Sequence, residues 1–292
     1  MTWRTVVINQ HCKLSYQNNH LIFKSSEGVE KIHLSEIHTL LLETTDIAIT
    51  TALIFKLAKY NVRLIFCDDK RNPLGELTQY YGSHDSSKKL NQQLMWEENV
   101  KKEVWTQVIR QKIDNQRRHL MKNDYLAEAE MLSGYLEQLQ LFDTSNREGH
   151  SAKVYFNALF GKKFTRDEPS EINAFLDYGY SLLLSIFNRE IVKNGHLTQL
   201  GLKHSNYFNH FNLSSDLMEP FRVVVDEKVY ELRNKNFAKN KHHLFEIFNQ
   251  TYCYNNNEMY LVNIVEHYVK KTLQALAEAD ATKMMEFRIS EL

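Results

Sequence analysis

The hydrophobic pattern of this chain changes period once, and that change limits the folds open to it. Up to about residue 80 apolar side chains alternate, as on half-buried strands; past residue 88 they recur every 3.6 residues, as on helices. Thr5-Val6-Val7-Ile8 is a short β run. Leu14 and Tyr16, then Leu21 and Phe23, alternate on either side of Asn18-Asn19, and asparagine tolerates positive φ, so the pair predicts a hairpin turn. Ile32 and Leu34 continue the alternation, and Leu40-Leu41-Leu42 reads as a buried strand. Thr51 to Lys59 has helical spacing, and Val62 to Cys67 is a further strand stopped by Asp68-Asp69. The segment from Asn72-Pro73-Leu74-Gly75 to Gly82-Ser83 reads as a linker or crossing connection.

Lys88 to Lys122 predicts one long helix, with Leu94, Val100, Val104, Val108, Ile113 and Leu120 near one face. Helices are then expected over Tyr125–Leu139, over about Arg147–Phe160 after caps in Asp143-Thr144-Ser145-Asn146, and over 173–193, 215–233, 242–250 and 258–279. Gly195 is a stop for the 173–193 helix. The expectation is an α+β protein: a small, β-sandwich-like N-terminal β domain over 1–80, followed by a larger all-α domain over 81–292.

Composition removes several classes. With 43% apolar residues in 292, the chain can fill a sizeable core. Its 36 basic and 36 acidic residues balance, which argues against a general polyanion binder but says nothing of charge on one face. Cys12, Cys67 and Cys253 form no CxxC and imply neither a disulfide framework nor a cysteine zinc site. Met1-Thr2-Trp3-Arg4 lacks a signal-peptide core, and the most apolar run, Leu182 to Phe187, is too short to span a bilayer. A cytoplasmic protein, with no membrane partner, is the expectation.

The chemistry concentrates in Asp216-Leu217-Met218-Glu219-Pro220-Phe221-Arg222, two carboxylates one helical turn apart with a guanidinium one turn further on. A cation removes the cost of burying such a pair; an ion pair with Arg222 does part of the same, so both readings stand. Glu148, in Asn146-Arg147-Glu148-Gly149-His150, is either a ligand or a first-turn acid set against the helix dipole. His204, after Gly201-Leu202-Lys203, is one of 13 histidines, and nothing in the chain has HExxH spacing. Oxygen and nitrogen donors from Glu148, His204 and Glu219 suit Mg²⁺ or Mn²⁺ better than a structural zinc. Basic residues cluster at Arg110, Lys112, Arg117, Arg118 and Lys122, and again at Arg233, Lys235, Lys239, Lys241, His242 and His243; each run is a solvated face or a phosphate-binding one. Asn173, Tyr178, Gly179 and Tyr180 head an apolar helix in which a buried Asn requires partners. No P-loop, GxGxxG or nucleophile elbow is present in the sequence.

These passages resemble a known family. Asn146-Arg147-Glu148-Gly149-His150-Ser151-Ala152, Ile172-Asn173-Ala174 with Asp177-Tyr178-Gly179-Tyr180, Gly201-Leu202-Lys203-His204 and Asp216 to Arg222 are similar to the CRISPR-associated integrase, the first Cas protein (Cas-one). Trp3-Arg4-Thr5-Val6-Val7 and Cys67-Asp68-Asp69-Lys70-Arg71 resemble the branch of type II-A systems. The resemblance implies a β domain that serves dimerisation, partner and DNA contacts, then a helical catalytic domain. It implies metal ligands at Glu148, His204 and Glu219, a further acid at Asp216 that ligates or supports a ligand, and a phosphate-holding Arg222. His204 would ligate as neutral imidazole, so activity is expected to fall as pH drops. Val223 departs from the family, which often has proline there.

The implied reaction is metal-dependent transesterification: a 3′-hydroxyl of a captured DNA fragment attacks a phosphodiester of the CRISPR array, inserting a spacer. The alternative is a metal-dependent endonuclease acting on branched or single-stranded DNA. A third reading is a non-catalytic scaffold that binds DNA through the long basic helix. The implied partners are DNA, a second copy as homodimer, the second Cas protein (Cas-two), and in type II-A systems the effector nuclease and the Csn-two protein.

Overall fold

Asn18 and Asn19 both take positive φ, 47° and 63°, and between them the chain reverses as expected. They join β2 (Cys12–Gln17) to β3 (His20–Ser25) in an antiparallel hairpin. The computed structural model describes residues 4–69, 71–77, 79, 85–254 and 257–289. Trp3 and Lys70 of the resembling passages, and Gly82-Ser83 of the expected linker, lie outside them. The chain divides into two compact units, residues 1–80 and 81–292.

The first unit holds two four-stranded sheets. In one, β4 (Gly28–His33), β3 and β2 form an antiparallel meander, with β6 (Ile47–Ile49) parallel to β2. In the other, β1 (Arg4–Ile8), β5 (Ile37–Leu42) and β7 (Arg63–Cys67) run parallel, and β8 (Pro73–Glu76) is antiparallel to β7. Every residue of β5 is buried, which is why Leu40-Leu41-Leu42 is apolar without alternation. Leu14 and Leu21 of one sheet, Leu40, Leu42 and Leu64 of the other, and Leu53 and Leu57 of α1 (Thr51–Lys59) share one core. The strand β8 corrects the linker reading: Pro73 stands first in an edge strand, a position that asks no N–H of proline.

The second unit is helical around α3 (Glu98–Lys122). Lys88 to Lys122 is not one helix: α2 (Ser86–Leu94) ends before Trp96, and Leu94 is exposed rather than packed. After α3 come α4 (Leu126–Glu137), α5 (Arg147–Phe160) and the long α6 (Glu171–Lys193), capped by Ser170 and stopped at Gly195 as expected. The expected 215–233 helix is broken into α7 (Asn212–Leu217), a 3-10 turn over Glu219–Phe221 and α8 (Arg222–Leu232), since Pro220 cannot donate within a helix. The expected 242–250 helix is a 3-10 turn over Lys241–Phe245 and the short α10 (Glu246–Asn249), preceded by α9 (Phe237–Asn240). A two-stranded hairpin, β9 (Thr251–Tyr254) with β10 (Asn257–Tyr260), then interrupts the helices before α11 (Leu261–Ala277).

Two sets of contacts position the site. A Cβ on Gly179 would stand 2.4 Å from Val225 Cγ1, so glycine lets α6 approach α8 closely. Beyond α11, Phe287 N–H donates to Gln111 and Ile289 N–H to Asn115, each at 2.9 Å, tying the tail to α3. Asn115 Nδ2 also donates to the Pro220 carbonyl at 3.0 Å, and Phe287 stacks on Phe221 with centroids 3.9 Å apart. The turn that carries Glu219 is thus held from both sides.

Candidate active site

Glu148 owes its place to Asp143. Asn146 occupies a left-handed position and makes no side-chain cap; Asp143 caps instead, accepting Arg147 N–H at 2.7 Å and Glu148 N–H at 3.0 Å. Of the expected caps in Asp143-Thr144-Ser145-Asn146 it is the first that acts, and it anchors the first turn of α5 that carries the Glu148 side chain.

Lys112 lies between Glu148 and Glu219. Its ammonium is 2.7 Å from Glu148 Oε1 and 2.6 Å from Glu219 Oε2, and its side chain is only 10% exposed. The basic run on α3 is therefore not one solvated face. Arg117 and Arg118 pair with Asp114, while Lys112 turns inward with Gln111, Asn115, Gln116 and His119. Lys241 of the second run is likewise buried, over the rings of Tyr178 and Phe237. Burial opposes the charge on Lys112, but Glu219 and Glu148 outweigh it and hold its pKa above the usual value. Burial also works against the charge on Glu219; Arg222 and Lys112 overcome it and hold the carboxyl well below its usual range. Arg222 Nε donates to Glu219 Oε1 at 2.9 Å, and its guanidinium lies 4.6 Å from the Tyr180 ring centroid.

Asp216 serves a different partner. Fully buried, it accepts N–H bonds from Leu202 at 2.6 Å, Lys203 at 3.0 Å and His204 at 3.3 Å, and it bonds His204 Nδ1 through a short contact. A Cβ on Gly201 would meet His204 O at 2.4 Å and Asp216 Oδ2 at 2.8 Å, so only glycine admits this embrace. The Asp216 hydrogen bond raises the His204 pKa, assisted by Glu219 and Glu148. Burial pushes Asp216 up as well, so the pair competes for one proton. We assign the proton to the imidazole, because Asp216 already accepts three backbone donors. Nδ1 is committed to Asp216, so Nε2 is the nitrogen that would meet a cation, in the neutral form of the ring. Trp105 packs edge-on against this ring, with centroids 5.9 Å apart.

The structure thus gathers Glu148 and Glu219 on one ammonium, brings His204 close enough to feel both, sets Arg222 on Glu219, and turns Asp216 away to hold His204. Among the described residues no three His, Cys, Asp or Glu side chains are in ligating geometry; Lys112 takes the carboxylates instead. The residues nonetheless fit a divalent cation. The point between the carboxylates already holds positive charge. Buried Glu219 Oε2, although ion-paired, receives no well-directed hydrogen bond. The donors, carboxylate oxygen and imidazole, suit a hard cation. Lys112 and Trp105 were missed by the sequence reading as parts of the site; the signal for Lys112 was the polar stripe Gln111, Asn115 and His119 continuing the buried face of Val104 and Val108.

The family model of CRISPR associated protein Cas1 matches residues 5–259. The chain belongs to the Cas1 family. It is 35% identical over 239 residues to the CRISPR-associated endonuclease Cas1 of Neisseria meningitidis serogroup C (strain 8013), covering 82% of this chain and 79% of the relative. Its fold is similar to a casposase bound to integration product, with TM-score 0.75 and 19% identity over 100% of this chain and 96% of the other. It is also similar to a chain of a Cas6-RT-Cas1–Cas2 complex, with TM-score 0.76 and 18% identity; there it covers 99% of itself and spans 36% of that longer chain. No described helix is long and apolar enough to cross a membrane.

Behind Arg222 this Cas1 chain carries a buried titrating pair. Asp226 accepts from Tyr180 through a short contact and bonds Tyr155, whose hydroxyl lies 2.6 Å from His119 Nδ1. Burial pushes Asp226 up to about 7 and, with Lys122, drives His119 down to about 3. The Asp226 contribution to stability therefore falls as pH rises from about 4 to 7, while that of His119 falls as pH drops below about 6.5; between these limits the two slopes oppose. In Asp226→Asn only the His119 slope remains. Its melting temperature relative to the wild type should climb between about pH 4 and pH 7. A gap that stays constant with pH would refute the assignment.

Proposed function

We propose that this chain is a metal-dependent DNA integrase of CRISPR adaptation, inserting captured fragments into the CRISPR array by 3′-hydroxyl attack on phosphodiesters. The observation that carries the reading is the meeting of Glu148 and Glu219 around one buried positive charge, with His204 beside them. Glu148, Glu219 and His204 Nε2 would hold Mg²⁺ or Mn²⁺. When bound, the cation supplies Lewis-acid polarisation of the scissile phosphodiester. Asp216 fixes the imidazole through Nδ1. Arg222, braced by Glu219 and Tyr180, offsets charge on the phosphate. The narrow turn at Gly201 and the tail on Asn115 keep these groups in register.

The reading extends to partners. A protein acting with Cas2 on DNA agrees with the names of the structures it resembles, a Cas6-RT-Cas1–Cas2 complex and a casposase bound to integration product; the cytoplasmic location and the homodimer rest on the family resemblance alone. The type II-A branch, with the effector nuclease and Csn-two as further partners, rests on the passages around Trp3 and Cys67. The test is integration of an end-labelled fragment into a CRISPR array, with Cas2 and Mn²⁺ supplied. Glu148→Ala and His204→Ala should each abolish joined product while DNA binding persists; full joining by a folded double variant overturns the proposal. The word endonuclease in the name of the Neisseria relative favours the rival reading, hydrolysis of branched or single-stranded DNA, because water can replace the 3′-hydroxyl at the same site. Cut strands without any joined product would select it.

A further inference from the structure

Lys112 is the most deeply placed cation of the site, and the charges around it balance without any ion from solution. Glu148 and Glu219 carry two negative charges, and the Lys112 and Arg222 side chains paired with them carry two positive ones. A divalent cation added to this set would face an ammonium at close range in a place of low dielectric, where like charges repel strongly. The two resident cations differ in how firmly they are held. Arg222 donates a directed hydrogen bond to Glu219 Oε1 and lies over the Tyr180 ring. Lys112 donates a directed bond to Glu148 alone, touches Glu219 Oε2 only as an ion pair, and sits on a flexible four-carbon stem. Lys112 is the cation that can leave.

We propose that Lys112 is a built-in counter-cation that holds Glu148 and Glu219 until a divalent cation and a DNA phosphodiester bind together. On loading, Lys112 yields the carboxylates and needs a new anionic partner, which the phosphodiester provides; its negative charge also offsets the excess positive charge. Cation and DNA therefore bind cooperatively, and linkage requires that each strengthen the other by the same factor. This rests on the metal-site reading above, with Lys112 as a positioning residue that acts through the two carboxylates.

The test is calorimetric titration of the full chain with Mn²⁺, alone and saturated with a DNA duplex bearing 3′-hydroxyl ends. In the wild type the duplex should tighten Mn²⁺ binding by about fivefold or more, and Mn²⁺ should tighten duplex binding equally. Lys112→Met should tighten Mn²⁺ binding without DNA by a similar factor and abolish the coupling, whereas Lys112→Arg, which keeps the charge, should retain it. A wild type whose Mn²⁺ affinity ignores the duplex overturns the proposal whether or not Lys112→Met folds. So does a folded Lys112→Met that binds Mn²⁺ no more tightly than wild type. His204→Ala separates the two levels: if it binds Mn²⁺ undiminished, the metal site itself is misassigned, and if it binds weakly while Lys112→Met changes nothing, only the role of Lys112 fails.

Discussion

Glu219→Ala should lower strand transfer by about 10³-fold or more and should destabilise the fold at the same time. The rate follows from several kcal/mol of Lewis-acid stabilisation at about 1.4 kcal/mol per factor of ten. The stability loss follows from burial. Glu219 is 4% exposed and answers two cations, Lys112 at 2.6 Å and Arg222 at 2.9 Å. Removing one partner of a buried ion pair costs about 3–5 kcal/mol, because the charges left behind stay uncompensated. With Glu219 gone, Lys112 and Arg222 present two positive charges against the single carboxylate of Glu148, and the two repel. A second substitution makes the argument specific. Lys112→Met in the Glu219→Ala background removes one excess charge and should return part of the lost stability, so the two changes should be strongly non-additive in a double-mutant cycle. Strand transfer should not return with it. Additive melting shifts would mean that Lys112 and Glu219 do not depend on one another, and recovered transfer would mean that Glu219 is no ligand.

Local chemistry was the legible part of this fold. The hairpin at Asn18-Asn19, the helix over Thr51–Lys59 and the start of α5 at Arg147 each follow from a few neighbouring residues, whose φ preferences or spacing act without distant partners. The fully buried β5 was legible for a similar reason, since an unbroken apolar run needs cover on both faces. What escaped depends on geometry between distant segments. Lys112 looked like one of five basic residues on a helix; only its register with Val104 and Val108 reveals that it points inward, where two acids 36 and 107 residues later meet it. Which residue of Asp143-Thr144-Ser145-Asn146 caps α5 was not legible either: the chain turns through left-handed positions at Phe142 and Asp143, and the Asp143 carboxylate accepts from the first N–H groups of α5. Residues 258–260 were read as the start of a helix, but they belong to β10, which pairs with β9 before α11 begins at Leu261. Pro220 was read as lying inside a 215–233 helix; the break it makes there lets Asp216 and Glu219, one turn apart in sequence, face different partners.

That separation gives the second large effect. Asp216→Ala should cost about 3 kcal/mol or more, since hydrogen bonds to a charged acceptor are worth about 1.5–3 kcal/mol each and Asp216 accepts from Leu202, Lys203 and His204 N–H as well as from the imidazole. The Lys203 and His204 amides lie at an exposed loop, where water recovers part of the loss; the buried Leu202 residue has no such recourse. Asp216→Asn keeps an oxygen acceptor of the same shape and should retain most of the stability while losing the charge. Both variants release His204, so its pKa, raised by Asp216, should fall in each. A raised histidine pKa contributes stability that is fully present below the unfolded value and is lost as pH rises through the folded one. The stability difference between wild type and Asp216→Asn should therefore shrink as pH rises past about 6.5. With the imidazole no longer held at Nδ1, Mn²⁺ affinity should drop by about 10–100-fold, the usual effect of losing the partner that orients a ligand. NMR titration of the His204 ring in the three proteins decides the matter: an imidazole whose titration is the same in all of them is not held by Asp216, and the loop from Gly201 to His204 would then owe its shape to something else.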